Sequence, residues 1–178
     1  MELIVESAED IDRHLTMVRA AAARTKEWVA SFGGDPLDLL HALKFETVGF
    51  HPVADHALNA IEQINQTFTY VVALAAARML LERHPEAGGY VLAPGAHMSR
   101  PLDIMSLREG WVGAETFAAV SPANNRKLAG DLKKLAPRPE RHRYVFFASP
   151  RYPSTARQPR LERDGIEVWS VGTLPIQR

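Results

Sequence analysis

The sequence predicts an α/β protein in which helices flank a mixed central sheet, with an N-terminal helical extension over residues 1–52. Apolar residues recur at helical spacing through the first half of the chain, whereas short apolar runs bounded by Gly and Pro begin at residue 89. A segment with helical spacing separates two of those runs, which is the arrangement that produces a parallel strand pair. At 178 residues the chain has the length of one compact domain.

The composition is that of an ordinary globular protein, with 46% apolar and 24% charged residues. The absence of cysteine excludes disulfides, zinc–thiolate sites and cysteine nucleophiles. The longest uncharged stretch, residues 63–77, is shorter than the roughly 20 apolar residues that cross a bilayer. The first residues are acidic where a signal peptide is basic. The sequence therefore predicts no membrane segment and a cytoplasmic location.

Three helices are predicted in the first half of the chain, over residues 8–31, 35–43 and 55–84. Ser7 followed three residues later by Asp10 is a capping arrangement that favours the start of the first helix. Asp35-Pro36 favours the start of the second, and Pro85 ends the third. The predicted α/β core follows the extension over residues 53–178.

Five strands and one further helix are predicted in the second half. The strands cover residues 89–93, 102–107, 111–120, 142–148 and 166–171, and the helix runs from residue 121 to about residue 135. Arg108-Glu109-Gly110 has the length and composition of a hairpin turn between the second and third strands. Ser121-Pro122 supplies a cap and a first-turn proline for the helix. The segment 149–165, rich in proline and arginine, is predicted as a loop.

Two carboxylates stand inside these apolar strands. Asp103 follows Pro101-Leu102 at the start of the second strand, and Glu115 lies twelve residues later in the third. A hairpin brings such side chains together, and carboxylate oxygens are ligands that Mg²⁺ takes in proteins. The sequence therefore suggests a Mg²⁺ site that acts on phosphate esters.

The order helix, three strands, helix, strand resembles the core of the PD-(D/E)XK nuclease superfamily over residues 53–171. The resemblance implies a restriction-endonuclease-like core in which Asp103 and Glu115 bind the metal. It also implies that Glu62, on the preceding helix, adds an acidic ligand. The sequence departs from the family at Phe117, because the family carries a lysine two residues after the acidic residue. An apolar ring there cannot position the attacking water or stabilise the phosphate.

Three hypotheses follow from this departure. In the first, a cation relocated to Arg126 or Lys127 restores an active Mg²⁺-dependent DNA or RNA hydrolase, whose catalytic residues are Glu62, Asp103, Glu115 and Lys127. In the second, which the sequence favours, a degenerate nuclease-like protein binds nucleic acid or a protein partner without cutting. In the third, the two carboxylates are ordinary polar residues of strand ends and edges.

Charge is unevenly distributed along a chain whose net charge is zero. Residues 1–89 carry 7 Lys/Arg and 13 Asp/Glu, a balance of −6, whereas residues 90–178 carry 14 and 8, a balance of +6. Clustered arginines attract phosphate, so a nucleic-acid-binding surface is predicted at Arg126, Arg138, Arg141, Arg143, Arg151 and Arg157. The alternatives are a solvated basic face that pairs with the acidic half, and an immunity or accessory protein that acts only through protein contacts. The sequence does not define an oligomeric state.

Overall fold

The structure, a computed structural model, describes residues 2–95 and 100–172. Its helices are α1 (Ala8–Ser31), α2 (Pro36–Phe45), α3 (Ala60–Arg83) and α4 (Lys127–Leu135). Its strands are β1 (Leu3–Val5), β2 (Gly49–Phe50), β3 (Ala57–Leu58), β4 (Tyr90–Leu92), β5 (Ile104–Ser106), β6 (Val112–Ala118), β7 (His142–Ala148), β8 (Ala156–Arg157) and β9 (Glu167–Ser170). Short 3₁₀ turns lie at Pro85–Ala87, Asn124–Arg126 and Pro159–Leu161.

The main sheet is mixed, with the strand order β1-β4-β5-β6-β7-β9-β8 in the described part of the chain. Strand β5 pairs antiparallel with β6, and β7 pairs parallel with β6 after the α4 crossover. Both pairings confirm the sequence prediction, as does the α/β class with helices around a mixed sheet. Strands β2 and β3 form a separate two-stranded hairpin.

Helices cover both faces of the sheet. One apolar cluster joins the inner sides of α1 and α3 to one face and includes Ile11, Leu74 and Phe146. The second cluster lies between the opposite face and α4 and includes Leu135 and Phe147. Successive residues of a strand point to opposite faces, so each position on β6 faces either α3 or α4.

The helix starts follow local capping chemistry. The Ser7 and Asp10 side chains form the predicted capping box at the start of α1. The Asp35 side chain accepts a hydrogen bond from the backbone N–H of Leu37 at the start of α2. The bounds of α1 agree with the prediction, and α2 ends two residues later than predicted.

Three parts of the N-terminal half differ from the prediction. Strand β1 was not predicted, since three residues are too few to establish a periodicity, and it pairs with β4 at the sheet edge. Helix α3 begins at Ala60, not at residue 55, because the Asn59 side chain caps its first turn. Residues 57–58 pair instead with residues 49–50. The segment 1–52 therefore contributes a strand to the main sheet as well as helices.

Helix α4 begins at Lys127 and not at Ser121. The Asn124 backbone N–H donates to the Ser121 carbonyl, and Arg126 adopts a left-handed backbone with φ of 54°. A left-handed residue cannot lie within an α-helix, so the helix starts after it. The segment 149–165 is not wholly a loop, because β8 within it extends the sheet next to β9.

Helix α3 is the one helix in the described part of the chain that is long and apolar enough to cross a membrane by length and composition. Residues such as Tyr70, Val72 and Leu74 are buried against the sheet, so the core of the fold accounts for part of this apolar character. Its other side faces away from the sheet, as the exposure of Ile61 and Ile64 shows.

Candidate active site at the carboxylate pair

The β5–β6 hairpin places Asp103 opposite Glu115. Ile104 pairs with Ala114, and continuing this antiparallel register by one residue brings Asp103 and Glu115 face to face. Val112 N–H donates to Ser106 Oγ (2.9 Å), which fixes the register near the turn. The Gly110 backbone, with φ of 69°, completes the turn in a conformation that favours glycine.

Asp103 is buried, with 8% of its surface exposed. Its Oδ2 atom accepts hydrogen bonds from the backbone N–H (2.8 Å) and the Oγ1 hydroxyl (3.0 Å) of Thr116. Burial raises the pKa of Asp103, and the two bonds from Thr116 oppose that rise. Both Thr116 donors go to Oδ2, so they leave the lone pairs of Oδ1 unused.

Glu115 lies in the middle of the central strand β6 and is only 2% exposed. The Lys134 Nζ atom lies 2.7 Å from Glu115 Oε1 and forms an ion pair with it. Burial and the nearby Asp103 charge raise the pKa of Glu115 to about 7, against the opposing effect of Lys134. A buried carboxylate is costly in a central strand, and the ion pair with Lys134 offsets part of that cost.

Helix α4 supplies the positive charges of the site. Lys127, Asp131 and Lys134 are separated by four and three residues, so they share one side of the helix. Lys127 Nζ donates to Asp131 Oδ1 over 2.7 Å. Burial alone would lower the pKa of Lys127, but Asp131, Asp103 and Glu115 together raise it. Burial raises the pKa of Asp131, and no donor among residues 2–95 and 100–172 bonds to its Oδ2 atom.

Phe117 explains why the lysines come from the helix. It lies two residues after Glu115 on the same side of β6, is 5% exposed and stacks on Phe147 with ring centroids 5.7 Å apart. Leu135 of α4 belongs to the same apolar cluster. The position that carries a lysine in the nuclease pattern is therefore a core position here, and the ammonium groups enter from the helix packed above it.

These side chains line an open pocket with a volume of about 670 Å³. Its lining residues are Thr69, Gly95, Asp103, Glu115, Thr116, Phe117, Ala118, Ala119, Asn124, Lys127 and Lys134. A pocket of this size admits a nucleotide-sized ligand. Carboxylates and ammonium groups that converge in one cleft and perturb one another's pKa values are typical of a functional site.

Glu62 lies outside this group. It is exposed in the first turn of α3, where its backbone N–H bonds to Asn59, and it does not line the pocket. Thr69, nearly two turns further along α3, is the helix residue that reaches the pocket. Asp103, Glu115 and Lys127 are brought together as predicted, whereas Asp131 and Lys134 were missed. Their helical spacing from Lys127 was the signal that could have identified them.

The donor set fits Mg²⁺ better than a cation that requires many protein ligands. Among residues 2–95 and 100–172, no three His, Asp or Glu side chains are placed to hold one metal ion. Asp103 and Glu115 could supply two carboxylate ligands, and Mg²⁺ is usually bound through one or two carboxylates together with waters and substrate phosphates. Glu115 Oε1 already forms an ion pair with Lys134, so a cation at this carboxylate would share it with the ammonium group.

Most of the predicted nucleic-acid-binding arginines are engaged within the protein. Arg138 pairs with Glu140 (2.6 Å), and Arg157 pairs with Glu162 (2.6 Å). Arg143 donates to the backbone carbonyls of Ala136 (2.8 Å) and Asp164 (2.9 Å). The Arg141 guanidinium lies 4.6 Å from the centre of the Trp111 ring. These four side chains are therefore engaged within the protein, which leaves them less available to a ligand.

Arg126 and Arg151 differ from the others, because their side chains form no hydrogen bond or ion pair with the described part of the chain. Arg126 directly precedes α4, and Arg151 follows the end of β7. Ser149 Oγ donates to the Val120 carbonyl over 2.9 Å, which holds the segments after β6 and β7 together. Both arginines therefore lie near the carboxyl ends of these parallel strands, the same end of the sheet as Ala118 and Ala119 of the pocket.

Comparisons with known proteins add no family to this description. No family model matches the chain, and neither a curated protein nor a solved structure matches it significantly. The residues of the pocket are therefore the basis for assigning it a function.

Proposed function

We propose that the protein is a Mg²⁺-dependent phosphodiesterase that hydrolyses DNA or RNA, with its catalytic cations supplied by α4. The observation that carries the proposal is the convergence of Asp103 and Glu115 with Lys127 and Lys134 in one open pocket. This is the relocated-cation hypothesis. It replaces the degenerate nuclease as the preferred interpretation, because lysine nitrogens do lie within the site.

The order of elements supports the proposal. Helix α3, the antiparallel strands β4, β5 and β6, the crossover helix α4 and the parallel strand β7 follow one another in the order of the PD-(D/E)XK core. In this interpretation the core is restriction-endonuclease-like, and Asp103 and Glu115 occupy the positions of its metal ligands. Fold alone does not define an activity, so the side chains of the pocket carry the argument.

Hydrolysis of a phosphodiester adds a water oxygen to phosphorus and breaks one ester P–O bond, leaving a phosphate monoester and an alcohol. Mg²⁺, when bound, acidifies the attacking water and neutralises charge that develops on the phosphate. Asp103 and Glu115 would hold the ion. The Thr116 hydrogen bonds fix the Asp103 carboxylate, so its free oxygen has a defined direction.

The two lysines have distinct environments. Lys134 is ion-paired with Glu115, which places its ammonium group next to the expected position of the ion and the water. Lys127 is held by Asp131 and stays charged because the surrounding carboxylates raise its pKa. In the proposed reaction Lys134 orients the water, and Lys127 donates to a non-bridging phosphate oxygen. Fixed donors of this kind stabilise developing charge more strongly than water does.

Arg126 and Arg151 suit the flanking phosphates of a nucleic acid. Both lie at the pocket end of the sheet, and neither is engaged within the described part of the chain. Guanidinium groups bind phosphate through paired hydrogen bonds. A polymer with several phosphates can therefore contact the pocket and these two arginines together.

Binding without cleavage is the second candidate function, and one observation favours it. The described residues place only two carboxylates, not three acidic or histidine side chains, where they could hold a metal. Lys134 already neutralises part of the Glu115 charge, which weakens the attraction for a cation. This candidate predicts nucleic-acid affinity that is the same with and without Mg²⁺.

Cleavage assays with purified protein distinguish the two functions. We expect single-stranded or duplex DNA, or RNA, to be cut with Mg²⁺ or Mn²⁺ and not with EDTA. Asp103→Ala and Glu115→Ala should each abolish cutting. Glu109→Ala, in the exposed turn of the same hairpin, is the matched control and should cut normally. Cleavage that persists in both carboxylate variants, or binding with no cleavage of any of these substrates, would overturn the hydrolase proposal.

A further inference from the structure

Helices α1, α2 and α3 expose several large apolar side chains. We call this set the apolar helical face, and its members are Val29 (37% exposed), Leu37 (75%), Leu40 (61%), Ile61 (50%), Ile64 (53%) and Phe68 (45%). Ile61, Ile64 and Phe68 recur at helical spacing on α3, and Leu37 and Leu40 do so on α2. Helix α2 has one fully buried residue, Ala42, although it is rich in leucine.

A groove runs through this face between α1, α2 and α3. Its volume is about 510 Å³, and Val29, Leu43, Ile64 and Phe68 are among the residues that line it. Leu40 lies one helical turn before Leu43, which connects the exposed residues of α2 to the groove. The groove therefore lies among the exposed apolar side chains of α1 and α3, and Leu43 links it to α2.

The floor of the groove is rigid. Gln63 is buried, and its Oε1 atom accepts hydrogen bonds from Thr25 Oγ1 (2.5 Å) and the Phe50 backbone N–H (3.0 Å). Its Nε2 atom donates to the Ala21 carbonyl over 3.1 Å. These bonds tie α3 to α1 and to β2. A surface that is already ordered loses little entropy when it binds a partner.

The exposed apolar area lies at the upper end of what a typical monomer exposes. Burying one such side chain removes on the order of 100 Å² from water, so the six members together would bury roughly 600 Å². The largest apolar patch of a typical monomer is about 300–600 Å², and it is often functional. A stable interface buries about 800 Å² on each partner, including a polar rim. The apolar helical face and its rim therefore match one side of a standard interface.

The charges around the face indicate what covers it. Lys26, which lines the groove, and Lys44 are exposed positive charges of the helices that form the face, and Asp38 and Glu62 are exposed negative charges of the same helices. A rim with both signs is complementary to itself, which a twofold interface requires because the same patch forms both sides. The chain has a net charge of zero, so two copies do not repel one another.

We propose that the apolar helical face is a twofold interface between two copies of this chain. The α3 stripe of Ile61, Ile64 and Phe68 packs against the face of the second copy, and the opposite charges of the rim meet across the axis. The proposal does not depend on the hydrolytic function, because the face does not share residues with the carboxylate pocket.

Sedimentation velocity of the full chain tests the proposal. We expect a concentration-dependent dimer for the wild type at micromolar concentrations, and a monomer for Ile64→Glu, because a carboxylate would be buried without a partner. Ile4→Glu is the matched control, since Ile4 is 57% exposed on the edge strand β1. It should remain a dimer. A wild type that is monomeric up to 100-fold above this concentration range, or a dimer that survives Ile64→Glu, would overturn the proposal.

Because the chain has no cysteine, cross-linking of single-cysteine variants is a second test of the interface. It does not require a charged variant to fold. Ile61→Cys and Ile64→Cys each introduce the only thiol of the chain, and a bis-maleimide reagent should join two copies covalently. Ile4→Cys should cross-link much less. Equal cross-linking at both places would contradict the interface. A monomeric wild type that binds phosphatidylcholine vesicles, with binding lost in Ile64→Glu, would assign the face to lipid and also overturn the proposal.

Discussion

The lysines of α4 and the arginines between residues 138 and 157 show that a high density of charge in sequence does not make a charge available. Arg138, Arg143 and Arg157 are bound to carboxylates or backbone carbonyls of their own chain. Lys127 and Lys134 are also paired with carboxylates, but they lie in the pocket beside the buried Asp103 and Glu115. The comparison teaches that the position of a cation on its helix matters more for a site than the number of cations nearby.

The largest expected effect comes from the lysines. Lys134→Ala and Lys127→Ala should each lower the single-turnover cleavage rate by about 10²–10³-fold, the usual cost of removing one fixed donor to a transition state. Lys133→Ala is the matched control, because Lys133 is an exposed neighbour on the same helix. An equal effect of all three substitutions would mean that general charge, not placement, controls the rate.

The pH dependence of stability sharpens the comparison. The pKa of Glu115 is about 7 in the folded protein against an ordinary 4.5, so the folded state holds this proton more tightly than the unfolded state. The contribution of this proton to the free energy of unfolding is fully present below pH 4.5 and is lost as the pH rises through 7. Glu115→Gln keeps the shape without the charge, and above pH 7 it should be more stable than the wild type by roughly 3 kcal/mol.

Urea unfolding of the wild type and Glu115→Gln at pH 4.5, 6 and 8 measures this difference. The two proteins should be nearly equal in stability at pH 4.5 and should diverge at pH 8. A constant difference across this range would contradict the raised pKa of Glu115. Glu109→Gln, in the exposed turn, should follow the wild type at each pH.

Arg143 tests the structural role of the arginines. Arg143→Ala removes the hydrogen bonds to the backbone carbonyls of Ala136 and Asp164. It should lower the free energy of unfolding by about 1–3 kcal/mol. Cleavage per folded molecule should be nearly unchanged. Arg151→Ala should leave the free energy of unfolding within about 0.5 kcal/mol of the wild type. A reversed order of the two stabilities would refute the division between structural and available arginines.

The smallest expected effect concerns binding. The double variant Arg126→Ala/Arg151→Ala should flatten the dependence of log affinity on log salt for duplex DNA by about 0.9 for each phosphate that the variant no longer binds. Fluorescence anisotropy at several salt concentrations with EDTA present would measure the slope without cleavage. A double variant of Arg138 and Arg157, which are ion-paired, should change the slope less. An equal change of slope in both double variants would contradict the division between available and ion-paired arginines.

Much of the fold could be predicted from the sequence, because long helices and buried strands leave clear periodicities. The capping box of Ser7 and Asp10, the β5–β6 hairpin and the parallel β7 all follow from local patterns. Strands β1 and β8 have three and two residues, so the pairing that defines them is visible only in three dimensions. The predicted start of α4 was wrong because the left-handed Arg126 overrides the Ser121-Pro122 signal.

The residues that the strands contribute to the candidate site could be predicted from the sequence, and those that the helices contribute could be predicted less well. Asp103 and Glu115 follow from strand register, which is local. Glu62 was placed in the site by resemblance alone, and the late start of α3 leaves it in an exposed first turn. The place of Lys134 in the site depends on how α4 packs over Phe117. That packing joins residues that are distant in sequence. Available and engaged arginines could not be separated from sequence, because a nearby acidic residue such as Glu140 or Glu162 does not by itself show that an ion pair forms.

The central claim is that Asp103 and Glu115 form a site for a divalent cation, and calorimetric titration with Mg²⁺ at pH 7.5 tests it most directly. The account predicts one site per chain in the wild type, weaker binding at pH 6 as Glu115 becomes protonated, and loss of binding in Asp103→Asn and Glu115→Gln. Thermal unfolding should show that both variants are folded. Mg²⁺ binding that is unchanged in these folded variants, or absent from the wild type, would contradict the account.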